Sequence, residues 1–283
     1  LEALEENGTL IRKDGKTFLQ LDCENAKELS MKWGEKLYPF TKTGKKWILE
    51  LPFSTPVNYV QICIDGQEVL SPELPIAHGY GRPYNYIELP DEDGLFELRD
   101  VPHGTLTQEF YKSQISDNWE KLILYLPPCV PSAGLPVLYL QHGFGESEIS
   151  WSTTGKVNLL MDNLIAAGKI KPFAIVMGNG MVKQRIDGEL KLNRALYGQM
   201  LVEEILPMIE KKYQFGGSKE KRGMAGLSMG SVQTTRTICE HPELFSEVGL
   251  FSGFLRHRIV GDEEHDGIIS KACEQSYLNA MDD

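Results

Sequence analysis

A mostly parallel sheet wrapped by helices, with a small all-β sandwich ahead of it, is the α/β architecture that this chain of 283 residues predicts. Three patterns carry the expectation. Before about residue 90 the apolar residues alternate with polar ones, as in strands that turn one face to a core. Further on, short continuous apolar runs alternate with stretches of helical period, which is how a parallel sheet covered on both faces reads. Between one such run and the next helical stretch lies Gly226-Leu227-Ser228-Met229-Gly230, a G-x-S-x-G turn that holds a serine at a sharp strand-to-helix bend.

The first expected domain covers residues 1–95. Strands are predicted at residues 17–21, 46–51 and 59–66, and Asp65-Gly66 supplies a hairpin turn. No stretch of helical period interrupts them, so a small sandwich is the natural packing. Trp33, Trp47, Tyr80, Tyr84 and Tyr86 offer either a flat face for sugar rings or core and domain-contact residues. The acidic, turn-rich segment 90–94 marks the boundary.

The second domain is expected over residues 96–283. Strands follow at about 103–113, 120–126 and 135–140, then a helix at 157–167 and a buried strand at 173–177. Tyr197, Leu201, Ile205, Met208 and Ile209 recur at helix spacing. Met224-Ala225 closes the strand before the bend, 232–239 reads as a short helix, and 248–251 gives one more strand.

Composition narrows the function. Hydrophobic content of 41% and charged content of 24% suit a globular protein, and a formal charge of −11 disfavours nucleic acid as a partner. No apolar stretch approaches the roughly 20 residues of a membrane helix. The chain opens at Leu1 rather than Met, so any targeting address is expected to have been processed away. Cys23, Cys63, Cys129, Cys239 and Cys273 are scattered singly and read as small buried hydrophobes, with disulfides the alternative. The six histidines form no ligand pair, so no metal site is expected.

A serine hydroxyl is a weak nucleophile at neutral pH. It needs a base to take its proton and fixed donors to hold the oxyanion that develops. The N–H of Met229, just after Ser228, is the first expected donor. Gln141-His142-Gly143-Phe144-Gly145 follows the run ending at Leu140, where the second donor belongs, and Phe144 N–H is the expected group. His142 is expected to brace that loop.

As a set, residues 139–145, Trp151, 176–180, 203–207, 222–230 and 241–245 resemble the esterase D-like α/β-hydrolases, and among them the feruloyl and acetyl-xylan esterases of carbohydrate esterase family one. The likeness spans about residues 103–255, and residues 47–90 resemble the early-set immunoglobulin-like, carbohydrate-binding-like module that often precedes such enzymes. The resemblance implies an α/β-hydrolase with Ser228 as nucleophile, Phe144 and Met229 as oxyanion donors, no cofactor, plant cell-wall polysaccharide esters as partners and a secreted location. Release of ferulate from arabinoxylan is the implied reaction; a short-acyl carbohydrate esterase or a non-catalytic carbohydrate-binding protein are the alternatives. The family places its catalytic acid and histidine after Ser228 and on later strands. Too few apolar residues follow the strand near Leu250, so the acid and histidine are expected beyond residue 283 and the fold to lack its C-terminal strands. On that reading residues 1–283 alone are nearly inert, since loss of a triad histidine costs about 10⁶ in kcat. His265, between Asp262 and Asp266, is a weak substitute, and His257 reads as surface.

Overall fold

The alternating residues of the N-terminal third build two antiparallel sheets. The computed structural model describes residues 5, 7–90, 93–128 and 134–253, and the chain divides into two units, Leu1–Glu97 and Leu98–Asp283. Strands β1 (Leu10–Lys13), β2 (Lys16–Asp22), β3 (Leu29–Trp33), β4 (Lys36–Pro39), β5 (Thr41–Thr43), β6 (Lys46–Glu50), β7 (Val57–Ile64), β8 (Gln67–Val69), β9 (Ile76–Gly79) and β10 (Arg82–Glu88) make up the first unit. Their orders are β1-β2-β6-β5 and β4-β3-β7-β10-β9, with β8 on β7. Leu19, Leu21 and Leu49 of one sheet share a core with Met31, Val60, Ile62 and Ile87 of the other, which makes this unit a two-sheet sandwich. Asp65 (φ 50°) and Gly66 (φ 80°) both turn left-handed, the two-residue hairpin that fits the strand twist.

The five aromatic residues do not share a face. Trp47 is a core residue whose indole N–H donates to the Cys23 carbonyl at 2.9 Å. Trp33 packs on Phe53, ring centroids 5.0 Å apart. Tyr80 lies outside beside Tyr84, and the Arg82 guanidinium sits 4.6 Å from the centre of the Tyr84 ring.

In the second unit the order is β11 (Thr105–Lys112), β12 (Trp119–Leu126), β13 (Val137–Gln141), α1 (Ser150–Thr153), α2 (Val157–Ala166), β14 (Ala174–Gly178), β15 (Lys183–Ile186), β16 (Glu189–Leu192), α3 (Leu196–Met200), a π turn (Leu201–Ile205), α4 (Leu206–Tyr213), β17 (Arg222–Leu227), α5 (Met229–Glu240) and β18 (Glu247–Phe251). The sheet order is β11-β12-β14-β13-β17-β18. The last four run parallel, whereas β12 is antiparallel to β14 and β11 to β12. A tight connection, closed by Ser113 N–H donating to Asn118 O at 3.0 Å, makes β11–β12 a hairpin and so forces the reversed sense.

Strand side chains alternate between two cores. Leu122, Leu124, Tyr139, Val176 and Met224 meet Tyr197, Leu201, Ile205 and Ile209 on one face. Ile123, Tyr125, Leu140, Ile175 and Ala225 meet Val157 and Met161 of α2 on the other. The π turn swings Glu204 onto the β11–β12 connection, where its carboxylate accepts from the N–H groups of Gln114 (2.7 Å) and Ile115 (3.2 Å). Cys23 and Cys63 are free thiols whose pKa burial pushes up. Cys239 is disulfide-bonded, which corrects its reading as a small hydrophobe; Cys129 and Cys273 lie outside the described residues.

One buried carboxylate ties α2 to the start of β11. Asp162 accepts from Tyr125 Oη at 2.6 Å and Gly104 N–H at 3.0 Å, and lies 2.9 Å from His103 Nδ1. That hydrogen bond raises the His103 pKa above its ordinary value. The folded form therefore holds the proton more tightly than the unfolded chain. Its stabilising contribution is full below the unfolded pKa of about 6.5 and is lost as pH rises through the raised folded value. Melting temperature should fall across that window and fall less in His103→Gln. A folded-state imidazole titration by NMR at or below about 6.5 would contradict this.

Candidate active site

Ser228 stands between the end of β17 and the start of α5 with φ 51° and ψ −109°. This is a region non-glycine residues avoid, and occupying it costs on the order of 1–3 kcal/mol. The neighbours hold it there. Ser228 N–H donates to Phe251 O at 2.9 Å, and the Ser228 carbonyl accepts from Ser231 N–H (3.0 Å), Ser231 Oγ (2.7 Å) and Val232 N–H (3.2 Å). The flanking glycines permit the bend. A Cβ on Gly226 would lie 2.3 Å from the Gly230 carbonyl carbon. A serine at a helix N-cap ordinarily spends its oxygen on the first-turn amides. Here Oγ caps nothing and has no hydrogen bond among the described residues.

The loop after β13 is fixed on both sides of Phe144. Gly143 N–H donates to Glu146 Oε2 at 2.9 Å and Gly145 N–H to Met181 Sδ at 3.4 Å, which leaves Phe144 N–H without a partner among the described residues. Trp151 Nε1–H donates to Gln141 O at 2.9 Å, and the Gln141 side chain donates to Tyr197 Oη. Met229 N–H, the first amide of α5, has no intrahelical acceptor. The two segments touch through their backbones. A Cβ on Gly230 would come 2.7 Å from the carbonyl oxygens of both Gln141 and His142. The unpaired hydroxyl of the half-buried Ser228 and two unengaged amides thus border one contact, the arrangement that acyl transfer requires of a nucleophile and its oxyanion donors.

His142 is spent on structure. Gly180 N–H donates to its Nε2 at 3.0 Å, so Nδ1 carries the proton and donates to Gly143 O at 2.8 Å. Burial lowers its pKa and keeps the ring neutral. His241 closes the far end of α5, a helix of 12 residues, and so lies roughly 18 Å along the axis from Ser228. The described residues bring no imidazole to Ser228. Asp262, His265 and Asp266, like His257, lie outside the described residues, as do the acid and histidine expected beyond residue 283.

Three residues beside the loop escaped the sequence pattern. Gln233 on α5 donates to Gly180 O at 2.9 Å and Arg194 O at 3.0 Å, and the Arg194 guanidinium lies 5.2 Å from the centre of the Phe144 ring. With Met181 they fasten the β15–β16 hairpin beside the loop. Only Asp187-Gly188, a turn dipeptide, could have announced that hairpin.

The family model for Esterase matches residues 113–280, more than half of the chain. The chain belongs to the Esterase family. An endo-1,4-β-xylanase/feruloyl esterase of Xylanibacter ruminicola is 36% identical to this member of the Esterase family over 213 residues, covering 72% of this chain and 29% of that protein. The chain thus spans less than a third of that relative's length. Among solved structures, a CE1 ferulic acid esterase of Anaeromyces mucronatus in complex with ferulic acid superposes with a TM-score of 0.50 at 20% identity, covering 55% of this chain and 60% of that one. The enterobactin esterase of Shigella flexneri gives 0.63 at 12% identity, covering 98% and 89%. At those identities the likeness is one of fold, that of the α/β-hydrolase esterases.

Proposed function

We propose that this esterase releases ferulate from plant cell-wall arabinoxylan through an acyl-enzyme on Ser228. One observation carries the chemistry: the Ser228 hydroxyl, free of any described partner, stands on a strained bend against a loop whose Phe144 amide is also free. Ser228 Oγ attacks the ester carbonyl while a histidine takes its proton, and the N–H groups of Met229 and Phe144 hold the negative oxygen. Collapse expels the sugar alcohol with that proton and leaves a feruloyl-serine. Water then attacks the acyl carbon and ferulate departs. The histidine and its acid are residues outside those described, and the reaction needs no cofactor. The acyl and glycan assignments are supported by the relative that carries the name feruloyl esterase.

The sandwich is proposed as an immunoglobulin-like, carbohydrate-binding-like module. An extracellular location is proposed with it, since a disulfide at Cys239 suits an oxidising compartment. A fluorophosphonate probe on the full-length protein should label Ser228, and methyl ferulate should turn over faster than nitrophenyl acetate. Labelling at another serine would overturn the mechanism. Preference for the acetate would reassign the acyl group.

A further inference from the structure

The β15–β16 hairpin stands apart from both cores yet is anchored at the site. Its strands pair Lys183 with Leu192 and Arg185 with Leu190 across a left-handed Asp187-Gly188 turn. All four residues of β16 are exposed, and Leu190 and Leu192 are 47% and 46% exposed. A lone two-stranded hairpin is marginally stable in water, so its feet matter. Asn193 N–H donates to Val182 O at 2.8 Å and closes the base. Gln233 grips the carbonyls on both sides, Gly180 O and Arg194 O, from the helix that follows Ser228. Met181 and Arg194 hold the Phe144 loop. The hairpin therefore rises from the rim of the candidate oxyanion loop.

Its two faces differ in charge. Alternation puts Lys183, Arg185, Leu190 and Leu192 on one face and Gln184, Ile186, Glu189 and Lys191 on the other. On the second face Lys191 lies 3.9 Å from Glu189, so the charges offset each other. On the first face neither Lys183 nor Arg185 meets a carboxylate among the described residues, and one Arg185 arm is oriented by its bond to Gly188 O at 2.9 Å. The two cations sit about 7 Å apart along the strand. On a protein of net charge −11, which repels acidic polymers in general, this local cationic face is a selective exception.

We propose that the Lys183–Arg185 face binds a uronate-bearing glycan, its carboxylate between the two cations and its sugar C–H faces against Leu190 and Leu192. That the glycan also carries the scissile ester rests on the function proposed above; the binding does not. The test uses the full-length protein with Ser228→Ala, so that no turnover intervenes. Calorimetry compares two xylo-oligosaccharides that differ only in one glucuronate substituent. The uronate form should bind about three- to tenfold tighter, the size that two solvent-exposed charge contacts give. The preference should vanish at roughly 0.5 M salt, where the screening length is only a few ångströms. Lys183→Gln with Arg185→Gln should bring the ratio to about one, and Lys183→Arg with Arg185→Lys should keep it. Equal binding of the two sugars by the parent, or a preference that survives the glutamine pair, would overturn the proposal. Preference without any ester turnover in the Ser228 form would instead remove the esterase assignment and leave the glycan site standing.

Discussion

Ser228→Ala should reduce kcat for ester hydrolysis by about 10⁵–10⁶, because removing the proposed nucleophile of a serine hydrolase leaves only what binding and the oxyanion donors supply. Stability should barely move. The Ser228 hydroxyl makes no hydrogen bond among the described residues, whereas its backbone N–H and carbonyl make all the contacts that fix the bend, and alanine keeps them. The two readouts therefore separate. Steady-state turnover and the pre-steady-state burst should disappear while the melting temperature stays within a few degrees. More than about 1% residual turnover in the variant would assign the chemistry to another group. Ser228→Gly sharpens the comparison: glycine occupies φ 51° without a Cβ clash, so that variant should be equally inactive without losing the fold.

The bend at Ser228 was legible because its backbone geometry demands residue types that survive in the letters. A serine at positive φ needs glycines two residues away on either side, and both are there. The loop at Phe144 was legible by position, immediately after a buried apolar run. What the letters could not show is which amide in that loop stays free. That depends on Glu146 and Met181 reaching the neighbouring N–H groups, and Met181 comes from a different strand connection. The β15–β16 hairpin escaped for a related reason. Its only apolar alternation is the pair Leu190 and Leu192, too short to stand out, and β15 opposite reads Lys-Gln-Arg-Ile, because the hairpin meets water and long apolar stripes mark only faces that meet a core. The π turn at Leu201–Ile205 escaped because one extra residue per turn leaves the apolar spacing nearly intact, yet it decides where Glu204 points. Cys239 is disulfide-bonded, and a lone cysteine with no spacing motif gives no sign of a partner.

Gly230→Ala should lower kcat by about 10²–10³ while Ser228 remains in place, because it acts on the proposed oxyanion donors rather than on the proposed nucleophile. The added methyl would stand 2.7 Å from the carbonyl oxygens of Gln141 and His142 and equally close to the Gln141 Cβ. Each is backbone or the base of a side chain, so no rotamer change relieves the overlap. The loop and the first turn of α5 must move apart. That separation carries Phe144 N–H away from Met229 N–H, and an acyl oxygen can no longer meet both. Overpacking at such a contact costs about 1–3 kcal/mol of stability, so the variant should fold with a lowered melting temperature. Gly226→Ala provides the contrast. Its methyl would fall 2.3 Å from the Gly230 backbone inside the elbow itself, which should block the bend and with it the folding of the second unit. For Gly230→Ala the loss should appear in kcat, with KM for a small ester nearly unchanged, since a displaced donor fails the transition state more than the bound substrate. A KM increase with kcat preserved would mean that the 141–145 loop shapes the pocket and does not hold the oxyanion.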